Sequence, residues 1–173
     1  MFELTDQPAT LAHLNVRTEK IGDDERPAAD LKIEFDASND MLIHFGPQLR
    51  SSLFAKAAAG KSKAAQGELD VVAPISDLPH LRCTEIDPPI RLAFEGVGYR
   101  GEIDYGIGQP ITLADLKVNA VRIEPREGGT VSFKLRLQAS NPDASAIGKL
   151  AQLLGHEITL TLTPPAADER IAA

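Results

Sequence analysis

Between residues 112 and 163 the hydrophobic period changes where the turn and cap residues stand, and this agreement constrains the fold more than any other feature. Val131, Phe133, Leu135 and Leu137 alternate with Ser132, Lys134, Arg136 and Gln138, the period-two signature of a half-buried strand. Upstream, Leu116, Val118 and Ala120 alternate, and Val121 and Ile123 continue in the opposite phase, which predicts a bulge near Asn119 to Val121. Arg126-Glu127-Gly128-Gly129-Thr130 supplies the turn that joins the two runs as a hairpin. Asn141 as cap, Pro142 and Asp143 then open a helix with Ile147, Leu150, Leu153 and Leu154 on one face and Gly155 at its end. Ile158, Leu160 and Leu162 return as a strand, which Pro164-Pro165 ends.

The N-terminal half follows the same logic. Ala29, Leu31, Ile33 and Phe35 alternate with Asp30, Lys32, Glu34 and Asp36. Burying the three large side chains stabilises by roughly 1.5–3 kcal/mol each, and a one-residue slip would expose all of them. A strand containing Leu14 and Val16 precedes it, with a loop expected at residues 22–27. Ser38-Asn39-Asp40 offers a cap before Met41, Leu42 and Phe45, and Gly46-Pro47 restarts the chain as a second helix to about Ala58. Prolines 74, 79, 88 and 89 confine any strand near Leu81 to Glu85 to a short edge. Ile90 to Val97 and Tyr99 to Tyr105 read as two extended runs that pair with each other across Gly96, Gly98 and Gly101.

The fold class this predicts is α+β and β-rich: a mainly antiparallel sheet, closed as a barrel or doubled as a sandwich, with one or two packed helices. The strand, strand, helix, strand run invites comparison with an OB-like barrel. One domain is expected over residues 1–173, with a mobile basic loop and Pro-rich connection at 56–75 and a loose tail at 164–173.

Composition bounds the function. A formal net charge of −7 argues against a generally basic nucleic-acid footprint, and an aromatic content of 5% without Trp limits stacking platforms. Cys83 is the only cysteine, so neither an internal disulfide nor a Cys-rich zinc site can form. The first residues lack a basic and apolar leader and no run approaches a membrane span, so a cytoplasmic location in a host cell and no membrane partner are expected.

Catalytic motifs are sparse. Gly96-Val97-Gly98-Tyr99-Arg100-Gly101 has the spacing of a dinucleotide loop, but Glu102-Ile103-Asp104-Tyr105 alternates like a strand and brings no helix N-terminus to a phosphate. His13, His44, His80 and His156 have no partner at ligand spacing, and His80 with Cys83 would point to opposite faces of an extended segment. Asp23-Asp24-Glu25, Asp36 and Asp40 lack the alternation of a calcium loop and read as acidic surface. Asp104 remains open, because the sequence does not say which face of its strand is wet. No catalytic residue, metal ligand or cofactor is assigned.

Basic residues do cluster. Arg50, Lys56, Lys61 and Lys63 occur with no acid between Arg50 and Gly67, and Lys134 and Arg136 share the outer face of one strand. These six could neutralise phosphates while Tyr99 stacks a base, the two requirements of single-stranded nucleic-acid binding. The ordinary reading of the same residues is solvated strand faces and a flexible loop. A second function class is protein interaction, in which an exposed strand, Ile158 to Leu162 or the segment near Leu81, pairs with a host or phage protein or with another copy in a homo-oligomer. A metal-dependent enzyme using Asp104 with distant acids is a third.

Pro27-Ala28-Ala29-Asp30-Leu31-Lys32-Ile33, the stretch from Asn39-Asp40 through Pro47-Gln48-Leu49-Arg50 to Phe54, Asp104-Tyr105-Gly106 and Leu116-Lys117-Val118 resemble a family of uncharacterised proteins from tailed phages and prophages. The likeness continues through Arg122-Ile123-Glu124-Pro125 and Gly128-Gly129-Thr130-Val131, and spans most of residues 10–162. It implies a phage origin, where early accessory genes often serve DNA replication and recombination or disarm host defences, and it brings no catalytic residue with it; the leading expectation is a non-enzymatic accessory protein that binds a partner.

Overall fold

The computed structural model describes residues 2–56, 76–106 and 108–166. Among the described residues nine strands form in chain order: β1 (Leu4–Ile21), β2 (Asp24–Ser38), β3 (Phe54–Ala55), β4 (His80–Leu81), β5 (Ile90–Arg91), β6 (Gly96–Asp104), β7 (Ile111–Pro125), β8 (Thr130–Ser140) and β9 (Glu157–Thr163). A 3-10 helix covers Asn39–His44, and two α-helices follow, α1 (Leu49–Leu53) and α2 (Ala144–Gln152). The antiparallel ladders run β1–β2–β8–β7–β6–β9 and return to β1, so six strands close a barrel. Closure removes the free edges that an open sheet of this composition would present.

Alternation determines which side is core. Leu31, Ile33, Val118, Ile123, Phe133 and Leu137 are fully buried, and their polar neighbours form the outer wall. Phe35 stands opposite Phe133 in the β2–β8 ladder, and their rings stack at 5.2 Å. Phe45 joins them, 5.9 Å from Phe133 and 4.8 Å from Phe2. This aromatic layer lies at the end of the barrel where β2 delivers the chain to the 3-10 helix. At the other end of the β2–β8 ladder, β8 delivers it to α2, which packs Leu150 onto β1 and β7.

The bulge expected near Asn119 is present. The β7–β8 register shifts between Asn119 and Arg122, and Ala120 lies at φ +52°. One edge of β7 pairs with β6 up to Val118 and with β5 at Arg122 and Ile123, while the other edge pairs with β8 on both sides of the bulge. The turn before β8 also forms as expected, with Gly129 at φ +88°. A Cβ there would stand 2.7 Å from the Ser76 Cβ, so glycine is required by both conformation and space.

Several expectations need correction. The acidic stretch is mostly strand, because β1 and β2 pair out to Ile21 and Asp24 and leave only Gly22 and Asp23 as the turn. The second helix ends at Leu53, since Phe54 turns inward, is fully buried and pairs with Leu81. The runs at Ile90 and Tyr99 do not pair with each other; both lie along β7. The helix after β8 starts at Ala144 with Asp143 as its cap, and Asn141 adopts φ +54° in the turn before it. Ile158 to Leu162 is no free edge, because β9 is hydrogen-bonded to β1 on one side and β6 on the other. The loop at 57–75 and the tail from 167 lie outside the described residues.

Candidate functional site

The outer wall concentrates positive charge where β2, β8, β7 and β5 lie side by side. One rung places Lys32 opposite Arg136 and Arg136 opposite Asn119. The next places Glu34 opposite Lys134, Lys134 opposite Arg122, and Arg122 opposite Arg91. Residues directly opposite in a ladder point to the same face, so five cations share one surface. At a strand spacing of about 4.8 Å the row from β2 to β5 is about 14 Å wide. With Ala120 at the bulge these side chains line a hollow of about 480 Å³, and a second hollow of about 440 Å³ along Leu92 to Glu95 shares Arg91, Ala120 and Arg136 with it. Because the bulge interrupts side-chain alternation with a small residue, it opens a trough in an otherwise convex wall.

The cations differ in how far the protein neutralises them. Lys134 meets Glu124 at 3.2 Å and Glu34 at 3.9 Å. Among the described residues, Lys32, Arg91, Arg122 and Arg136 make no ion pair with a carboxylate. Arg136 donates its Nε to Asn119 Oδ1 at 2.8 Å, which holds the guanidinium in place and leaves its terminal nitrogens toward the groove. Asn119 is buried and donates to Gln138 at 2.7 Å; Gln138 donates to Asp30 at 3.0 Å. Asp30 also receives Arg17, which contacts Glu19 at 2.7 Å. Burial pushes the Asp30 carboxyl up, but hydrogen bonds from Gln138 and Arg17 and the nearby Arg136 charge bring it net below the usual carboxylate range. A fixed polar ladder thus runs under one side of the groove.

The cations singled out in the sequence separate into different roles. Lys134 and Arg136 line the groove. Arg50 lies elsewhere and is locked: its Nε donates to Asn39 Oδ1 at 3.0 Å, and its terminal nitrogens reach Ser76 at 2.9 Å, Asp40 at 2.7 Å and Asp77. The Arg50 hydrogen bond holds the Asp77 carboxyl below its usual range. Arg50 therefore ties the 3-10 helix, α1 and the segment at Ser76 together, with its guanidinium engaged by protein partners. Lys56 is exposed at the margin of the described chain, while Lys61 and Lys63 fall outside it. Tyr99 is only 2% exposed, because its ring fills the space left by the missing side chain of Gly96; it offers no stacking surface.

Lys32, Arg91 and Arg122 escaped the sequence reading. Their proximity depends on the β2–β8 and β5–β7 registers, which join segments far apart in the chain. The usable signal was the phase of Arg122, polar on the second arm of the expected bulge and therefore outward with Lys134 and Arg136.

Other candidates resolve into structure. Asp104 accepts the Gly106 backbone N–H at 2.8 Å and shapes a turn. His80 pairs with Glu127 at 2.5 Å, and Glu127 also accepts the Leu81 N–H at 3.0 Å. That backbone bond, with His80, lowers the Glu127 pKa. Among the described residues no three His, Cys, Asp or Glu side chains gather as a metal site. No described helix is long and apolar enough to cross a membrane. A hollow of about 490 Å³ between Phe45, Leu49 and Phe94 has no titratable lining. No family model matches this chain, and neither a curated protein nor a solved structure matches it.

Proposed function

We propose that this chain is a non-enzymatic binding protein whose outer groove takes single-stranded nucleic acid, in the accessory role suggested by the phage-family resemblance. The observation that supports it is the five-cation surface on a chain of net charge −7, with Lys32, Arg91, Arg122 and Arg136 lacking described carboxylate partners. A local field of one sign on an otherwise acidic protein attracts a polyanion to one place and repels it elsewhere. The test is binding of labelled single-stranded DNA, duplex DNA and RNA over a salt series. If three to four phosphates are neutralised, log affinity falls with log salt at a slope of about −2 to −3 for single strands. Absence of binding at low salt would end this reading.

A protein-interaction role has a different observation in its favour. The β1–β2 ribbon extends beyond β8, whose ladder with β2 stops at Ala28, and Val16 on that ribbon is 48% exposed. In this reading the ribbon edge takes the place of the β9 edge, and a sizing column detects the assembly it predicts.

A further inference from the structure

We infer that the groove holds a strand by its phosphate groups rather than by its bases, with the opposed Arg91 and Arg122 as its central pair; this rests on the nucleic-acid reading and narrows it. Like charges placed directly opposite in an antiparallel ladder repel each other. Arg91 and Arg122 hold such a position on β5 and β7, and neither has an ion-pair partner among the described residues. A phosphate between them would relieve the repulsion, accept hydrogen bonds from both guanidinium forks and remain within reach of Arg136 across the trough.

Base edges are read by amide groups or by guanidinium forks, and bases stack on exposed aromatic faces. Amides and aromatic faces offer little here. Asn119 uses its oxygen on Arg136 and its nitrogen on Gln138, and Gln138 uses its oxygen on Asn119 and its nitrogen on Asp30. The neighbouring aromatic, Phe94, is half-buried and packs against Phe2 at 5.7 Å and Phe45 at 5.2 Å with the ring planes near perpendicular. Tyr99 is inside. Beside the Glu34 carboxylate, which Lys134 meets, the groove presents guanidinium, ammonium and aliphatic stem, and a phosphate chain suits these whatever bases it carries.

The test compares three probes of equal phosphate number at low salt: oligothymidylate, an abasic deoxyribose-phosphate strand and inorganic polyphosphate. Oligothymidylate and the abasic strand are expected to bind within about threefold of each other, and Arg91→Gln and Arg122→Gln each to weaken both by about fivefold at 0.1 M salt. Arg100→Gln, which removes a cation paired with Glu102 outside the groove, should leave both unchanged. An abasic strand bound more than tenfold more weakly than oligothymidylate overturns the phosphate grip as the main contact while the nucleic-acid reading survives. Full affinity in both groove variants overturns the assignment of the central pair. Polyphosphate bound through the groove without either strand would uphold the phosphate grip and end the nucleic-acid reading; no binding of any probe ends both.

Discussion

Arg50 and Arg122 are both arginines on one small barrel, and their surroundings are opposite. Arg50 has Asn39, Ser76, Asp40 and Asp77 around it, and its side chain is 17% exposed. Arg122 faces Lys134 and Arg91 and has no described carboxylate partner. The difference teaches how to separate a structural cation from a binding one. A charge that the fold satisfies belongs to stability; a charge placed among like charges and left to solvent is available to a ligand. Removing the first should cost folding, and removing the second should cost binding.

The strongest attempt to break this comparison is made on the Arg50 side. Gly129→Val forces a side chain into positive φ and into the Ser76 contact beneath Asn39, and should lose about 3 kcal/mol or more in denaturant unfolding. A normal midpoint would show that the turn is not built as described. Next, Arg50→Ala strips a partner from the fully buried Asn39 and should lose about 2 kcal/mol. Its affinity for a single strand should stay at the parent value in conditions where it is folded; a loss would put Arg50 back into the binding surface.

A smaller effect sharpens the link beneath the groove. Burial raises the Asp30 pKa, and Gln138, Arg17 and Arg136 together bring it net below the usual carboxylate value in the folded state. A lowered carboxylate contributes stability above its unfolded value of about 4 and loses it as pH falls through the folded value. Stability should therefore decline with falling pH below about 4, and Asp30→Asn should flatten that decline in urea melts across the acid range. An unchanged slope would mean that the Asp30 ladder carries no charge-dependent stability. The smallest expected effect belongs to Lys134→Gln, because Glu124 and Glu34 already neutralise this lysine. Less than a twofold change in affinity is expected, and a loss as large as that of Arg122→Gln would refute the ranking of the cations.

How much of this was legible in sequence follows from which interactions are local. The strand phases of β2 and β8, the turn at Gly128-Gly129 and the bulge at Asn119–Arg122 come from neighbours along the chain, and the structure places them as expected. The β-rich α+β class follows from the same pattern. Closure was not readable, because alternation gives one buried face without saying whether the sheet curls on itself or faces another. The run from Arg50 to Gly67 contains no acid in sequence, yet folding brings Asp40 and Asp77 to Arg50. Conversely, Arg91 and Arg122 have unremarkable local contexts and become a site only through long-range register. Tyr99 reads in sequence as a stacking surface, but its ring packs into the space that Gly96 opens.

The most direct measurement is made on Arg122→Gln alone, with melting temperature and affinity for a single strand determined on the same preparation. The account predicts an unchanged or slightly raised melting temperature, because a repulsion is removed, together with about a fivefold loss of affinity at 0.1 M salt. A lowered melting temperature with parental affinity would contradict it and make Arg122 another structural cation like Arg50.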